Sequence, residues 1–254
     1  MVSRRTSRRL AAPALIACAG VFGTAATAHA QGSGGLSVTP AILEHRAAVG
    51  GVGSMTLTNT TKETLRVTVR VRPWRQELSG RVFTDDRSTF SRYVRANRTS
   101  FRIGAGAKVP ISFRMLRRTR SGSLYGNVDV LGKPVNTRGR KGIIPQYRLI
   151  STLRLHPSRK SHRLRTGAAQ VRGGQVLLPV RNLGNTIDPV AGNFRITGPT
   201  PRNGTFKGIA ALPGKLIALG AGPARGLRRG RYTINATVTQ GSQRVTARTS
   251  FTIR

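Results

Sequence analysis

Leu65-Arg66-Val67-Thr68-Val69-Arg70-Val71-Arg72 alternates apolar and polar residues without a break. Successive side chains of a strand point to opposite faces, so this stretch puts Leu65, Val67, Val69 and Val71 on one face and three arginines on the other. That is the period-two signature of a sheet with one face buried. The same theme continues outward in Met55-Thr56-Leu57-Thr58, Phe101-Arg102-Ile103 and Pro110 to Met115. It returns in Gln175 to Arg181, Tyr232 to Val238 and Val245 to Ile253, with Gly, Asn, Pro and Thr between the runs. Helical periodicity is absent over any useful length. The chain reads as all-β.

The second half echoes the first. Thr58-Asn59-Thr60 closes one strand ahead of Leu65, and Val180-Arg181-Asn182-Leu183-Gly184-Asn185 holds the same place later. Ile103-Gly104-Ala105-Gly106 matches Leu219-Gly220-Ala221-Gly222, read in both places as a turn between strands. Leu124-Tyr125 opens a strand as Arg231-Tyr232 does, and a Tyr at that point suggests the corner in which its hydroxyl ties down a loop of an immunoglobulin-like sandwich. Three echoes in one order predict two tandem immunoglobulin-like β-sandwich domains, over residues 31–157 and 164–254. The polar, basic stretch 158–163, just after Pro157, is the expected linker.

Ahead of both domains, residues 1–30 read as a signal peptide. Arg4, Arg5, Arg8 and Arg9 precede an uncharged, largely apolar run that ends in Ala28-His29-Ala30, a small-x-small cleavage pattern. Two other readings stay open: half of a twin-arginine signal, and a lipobox ending at Cys18. Either way the chain is expected to be exported, to a periplasm or a cell surface. Cleavage after Ala30 removes Cys18, the single cysteine, so no disulfide staples the domains.

The formal charge is +37, and residues 31–254 hold 40 of the 44 Lys and Arg against all 7 Asp and Glu. Compositional bias toward Arg explains this as well as selection for polyanions does. Arg66, Arg70 and Arg72 on one strand face, with Arg75 just past Trp74, are the polyanion-binding candidates, because the planar Arg fork suits phosphate and carboxylate. The expected partners are an anionic cell-wall polymer or a surface protein, with membrane contact through lipidated Cys18 or through headgroups. Aromatic residues make up 5% and are not interleaved with the basic clusters, which disfavours nucleic acid.

Leu36-Ser37-Val38-Thr39-Pro40, the Thr56 to Asn59 strand end, Trp74 after the Val-rich strand, and Phe101-x-Ile103-Gly104-Ala105-Gly106 before a strand resemble the first domain of periplasmic pilus-assembly chaperones. They are similar too to tandem sandwiches of Gram-positive surface proteins. The resemblance runs over about residues 36–157 by motif and implies the fold and an assembly role without enzymatic activity. In those chaperones one basic residue near the first strand and another on the last strand of domain one hold a client's terminal carboxylate. The early position falls near Pro40 to Ile42, where this chain has no Arg or Lys; Arg148 or Arg154 fits the late one.

Catalytic and metal constellations are missing from the pattern. The acids are Glu44, Glu63, Glu77, Asp85, Asp86, Asp129 and Asp188, and only Asp85-Asp86 are adjacent, in a segment read as a loop. No His-x-x-x-His, P-loop or Gly-x-Ser-x-Gly occurs, so neither enzyme, metal nor cofactor is expected. What remains is a strand. Ile143 to Leu155 reads as the last strand of domain one, with Tyr147, Leu149, Leu153 and Leu155 on one parity and Arg148 and Arg154 on the other. If this strand is an edge, the apolar row fills alternate pockets of a partner; the alternative is that the row faces its own core.

Overall fold

The computed structural model describes residues 35–254, and no helix occurs among them. The expected signal segment lies outside the described residues. The chain folds as eighteen strands in four sheets, arranged as two sandwiches with separate cores.

In domain one, β1 (Leu36–Thr39), β3 (Gly50–Asn59), β8 (Lys108–Met115) and β6 (Val94–Ala96) form one sheet in that order. The facing sheet runs β2 (Ile42–Arg46), β10 (Tyr147–His156), β9 (Leu124–Pro134), β4 (Leu65–Gln76) and β5 (Val82–Thr84), with β7 (Ser100–Ile103) also paired to β4. Between β1 and β2, at the cis Thr39–Pro40 peptide, the chain leaves the first sheet and joins the second, where β2 runs parallel to β10. Leu65, Val67, Val69 and Val71 are buried, as the alternation of β4 requires, and pack against Leu57, Ile111 and Phe113 of the opposite sheet's strands.

Domain two repeats the plan. One sheet holds β13 (Gln175–Asn182) between β16 (Leu216–Pro223) on one side and β11 (Leu164–Thr166) and β12 (Gln170–Arg172) on the other. The second runs in the order β15 (Arg202–Ala210), β14 (Pro189–Thr197), β17 (Gly230–Gln240) and β18 (Gln243–Ile253), with the chain crossing to β16 of the first sheet between β15 and β17.

The internal repeat is visible in hydrogen bonds. Asn59 and Asn182 are both fully buried at the end of a strand. Asn59 donates its Nδ2 to the carbonyls of Glu63 and Gly104, both at 2.8 Å, and accepts from Thr61 N at Oδ1. Asn182 donates to Thr186 O and Ala211 O and accepts from Gly184 N. In each domain one amide side chain closes a turn and pins a second loop. Asn182→Ala is expected to cost domain two about 1–3 kcal/mol, because two buried carbonyls lose their donor; equilibrium urea unfolding reads it.

Two of the sequence echoes resolve differently. The partner of the Gly104–Ala107 turn is not Leu219 to Gly222, which lies inside β16, but Ala211 to Lys215. Asn59 N binds Ala107 O, and Asn182 N binds Lys215 O in the same role. Gly106 and Gly214 supply the matching left-handed residues, at φ 68° and 78°. A Gly-Ala-Gly string repeats by composition; the turn repeats by position. The Tyr corner forms once. Tyr232 donates to Arg228 O at 2.8 Å, four residues back, whereas Tyr125 reaches across to domain two, toward Asn185 O at 3.5 Å.

The domains are joined by more than the linker. Gln76, at the end of β4, donates to Ala210 O (2.6 Å) and accepts from Leu212 N (2.8 Å), while Ala218 N binds Leu78 O. Gly80, at φ 88°, tops the β4–β5 hairpin, and a side chain there would collide with Ile209. The linker itself is tied to domain two: His162 and Lys160 both reach Asp188, at 2.8 and 3.1 Å. Its basic residues therefore fasten the junction rather than loosen it.

Candidate partner-binding edge

β10 is the strand whose environment changes along its length. Its lower half, Thr152 to His156, pairs with β2, and Thr152 N–H donates to Ala41 O. Backbone groups alternate along a strand, so Arg148 and Ile150 turn theirs toward the same edge as Thr152. No ladder partner meets them there among the described residues. The upper half is an open edge. Unpaired N–H and C=O groups in a row are a template for an added strand.

Apolar surface gathers beside that edge. Ile150 is 52% exposed on the outer face, Ile42 of β2 lies one rung below, and Ile143 and Ile144 project from the β9–β10 connection. A concavity of about 470 Å³ adjoins Ile150, lined by Phe83, Thr84, Arg75, Arg87, Asp86 and Arg148. The segment read as a loop supplies its wall, because β5 folds back on the end of β4 and places Thr84 opposite Trp74.

The residues expected to face a partner divide by parity. Leu153 and Leu155 are fully buried and belong to the core of domain one, so the structure corrects their assignment as pocket-filling contacts. Tyr147 and Leu149 pack against the same core, half-buried. The row faces inward because its parity is that of the inner sheet face. Arg148 and Arg154 point outward, but both are occupied. Arg148 binds Asp129 at 2.8 Å and Asp86 at 2.6 Å. Arg154 pairs with Glu44, directly opposite on β2, at 2.8 Å and lies over the Trp74 ring. The carboxylates that either arginine could take from a client are provided by the chain itself.

The polyanion set also narrows. Arg72 is 7% exposed: its Nε binds Asp129 at 2.8 Å and a terminal nitrogen meets Asp86 O, so it is withdrawn from any solvent-borne ligand. Burial followed because β5 and its loop cover this end of the sheet face. Arg75 stacks on Phe83 at 4.6 Å in the concavity wall. Arg66 and Arg70 remain exposed, and Arg66 sits directly between Arg102 of β7 and Lys133 of β9.

Asp129 organises the centre of this face. Burial pushes its carboxyl up, but the Arg148 and Arg72 hydrogen bonds outweigh that and hold it below the ordinary 3.8. Asp188 at the junction is likewise pushed up by burial and held below 3.8 overall by His162, Lys160 and Thr186. Groups depressed in the folded state stabilise it fully above their unfolded value and lose that contribution as pH falls through the folded one. Denaturant midpoints are therefore expected to hold from about pH 7 to about pH 5 and to fall steadily below about pH 4, and Asp188→Asn should shallow that fall.

No protein-family model matches the chain, and no curated protein sequence is similar to it. Among solved structures it is similar to a chain of a chaperone–tip adhesin complex of CFA/I fimbriae biogenesis, at TM-score 0.53 and 9% identity over 84% of this chain and 98% of that one. The Class 5 fimbriae chaperone CfaA gives TM-score 0.51 and 10% identity over the same shares. At such identity the likeness is one of fold. The chain has the two-domain sandwich fold of fimbrial chaperones, and the resemblance seen by motif over residues 36–157 extends architecturally through both domains.

Ile150, Phe83 and Ile144 were not singled out in the sequence, and Ile143, expected to open the last strand, lies in the connection ahead of β10, which begins at Tyr147. Their one signal was apolar residues out of register: Ile150 breaks the polar parity of β10, and Ile143-Ile144 interrupts a basic loop.

Proposed function

We propose that this chain is an exported, non-enzymatic assembly factor that binds an extended segment of a surface protein along the upper edge of β10. The observation that carries this reading is the split strand: β2 closes the edge over Thr152 to His156 and leaves Arg148 and Ile150 with outward backbone groups. The fold it shares with fimbrial chaperones supports the same role. Recognition rests on main-chain hydrogen bonds and on Ile150, Ile42 and the adjoining concavity, since strand addition takes affinity from the ladder and specificity from flanking pockets. Carboxylate capture by Arg148 or Arg154 is not part of it, because Asp129, Asp86 and Glu44 already hold those guanidinium groups.

Ile150→Pro tests the reading. Its N–H points away from β9, so proline removes an outward donor and leaves the β9–β10 ladder intact, as edge positions tolerate. The variant is expected to unfold within a few degrees of the wild type and to lose co-purification with the surface protein that the wild type retains when both are exported together. Retained co-purification would rule out this edge.

A further inference from the structure

Domain one has a second place where main-chain groups go unpaired, two strands away from β10. There the middle of β4 and the free edge of β6, one from each sheet, line a slot of about 370 Å³. On this side β4 is bonded above and below the slot: Val69 N donates to Thr99 O at 2.9 Å, and Val71 O accepts from Phe90 N at 2.7 Å. Odd residues of β4 therefore turn their main chain away from β9, and Val69 O and Val71 N lie between those two bonds. On β6, Tyr93 O and Asn97 N bond to Leu116 and Ser112 beside β8, so Val94 and Ala96 turn the other way. Phe90 O takes Val94 N, which leaves Val94 O and both groups of Ala96. None of these five groups meets a partner among the described residues.

Val69, Val71, Val94 and Ala96 are each 6% exposed or less. Main-chain groups so placed are almost always paired, with protein, water or a ligand. The rim carries Arg70 from one sheet and Arg95 from the other, both exposed. Neither forms an ion pair among the described residues: Asp129, opposite Arg70, is taken by Arg72 and Arg148. No Asp or Glu lines the slot. The Thr99 and Phe90 bonds shut it at both ends, leaving roughly 7 Å of β4 open at about 3.3 Å per residue. A strand cannot run through it.

We infer that this slot takes the C-terminal end of an apolar peptide. The peptide's last amides meet the unpaired N–H and C=O groups, its last side chain lies against the apolar wall, and its carboxylate stays at the rim with the two guanidinium groups. An acyl chain would suit the wall and the cations but leave the five main-chain groups bare. An amino terminus would meet two like charges, and an internal segment has no way out past the closed ends. The site shares no residue with the β10 edge and does not depend on it.

The test uses the full-length exported protein with three probes: acetyl-Gly-Gly-Val-Val with a free carboxylate, the same peptide as its C-terminal amide, and octanoate. The free acid is expected to bind about tenfold or more tightly than the amide, as loss of a charge-assisted pair implies. Arg70→Gln/Arg95→Gln should weaken the acid by about the same factor and leave the amide within about twofold. Arg102→Gln/Lys133→Gln removes equal charge from the neighbouring outer face and should cost less than about twofold. Thermal unfolding should be unchanged in both variants, since all four side chains are exposed. Amide exchange at Val71 and Ala96 should slow when the acid is added. Ile150→Pro should bind the acid as the wild type does, so failure at the β10 edge and failure here are told apart. Amide or octanoate bound as tightly as the acid, equal losses in the two double variants, unchanged exchange at Val71 and Ala96, or no saturable binding of the acid would overturn the inference.

Discussion

Asp129→Ala is expected to destabilise domain one by about 3–5 kcal/mol, the loss that follows when one partner of a buried ion pair is removed. Asp129 is 7% exposed and accepts from two arginines, Arg72 Nε and Arg148 Nε, both at 2.8 Å. Without it Arg148 keeps Asp86, and its exposed guanidinium can be solvated. Arg72 has no such recourse, because its side chain is nearly enclosed. A desolvated cation with no carboxylate carries the cost. If this account is right, Arg72→Leu/Asp129→Leu should recover most of the loss, since an apolar pair of similar volume removes both buried charges. Equilibrium urea unfolding of the two variants reads the difference. An Asp129→Ala midpoint equal to wild type would show that water reaches Arg72 and that the pair contributes little.

Leu153→Ala is expected to cost about 2–5 kcal/mol, the range for truncating a buried Leu with partial collapse of the cavity. Leu153 lies fully buried in the core of domain one, between the β9 and β2 ladders of β10. Three residues away, Ile150→Ser should leave stability within about 0.5 kcal/mol, because that side chain is half exposed on the opposite face. The pair separates the two roles of β10. Odd positions hold the domain together, and even positions above Thr152 are exposed and are the ones proposed to meet a partner. A destabilised Leu153→Ala together with a stable, binding-deficient Ile150→Ser is the expected pattern; the reverse would place the partner on the inner face and remove the open edge from consideration.

Much of the architecture can be read from alternation alone. Leu65 to Arg72 places four apolar side chains on one face, and β4 buries those four. The paired Asn turns are legible because a buried amide between a strand end and a polar turn recurs at Asn59 and Asn182 with the same two-residue and four-residue partners. The false echo at Leu219 to Gly222 shows the limit. Gly-Ala-Gly is short and common, and only the carbonyl that accepts from Asn182 N reveals that Lys215 occupies the place of Ala107.

The site was less legible, and for a definite reason. Burial of a polar side chain depends on what another segment lays over it. Arg66, Arg70 and Arg72 are equivalent in the sequence, yet β5 and Asp86 enclose Arg72 and leave Arg66 exposed between Arg102 and Lys133. Arg148 and Arg154 read as anchors for a client's carboxylate until Asp129, Asp86 and Glu44, all distant in the chain, come to lie beside them.

Local periodicity determined strands such as β4, β8 and β17 with their buried faces, because those follow from the geometry of residues two apart, and the ordered echoes pointed to two similar domains. Tertiary structure decided which edges stay open and which charges stay unmatched. Those depend on pairings between residues a hundred positions apart, such as Ile42 with Thr152 or Glu44 with Arg154, and no local pattern encodes them.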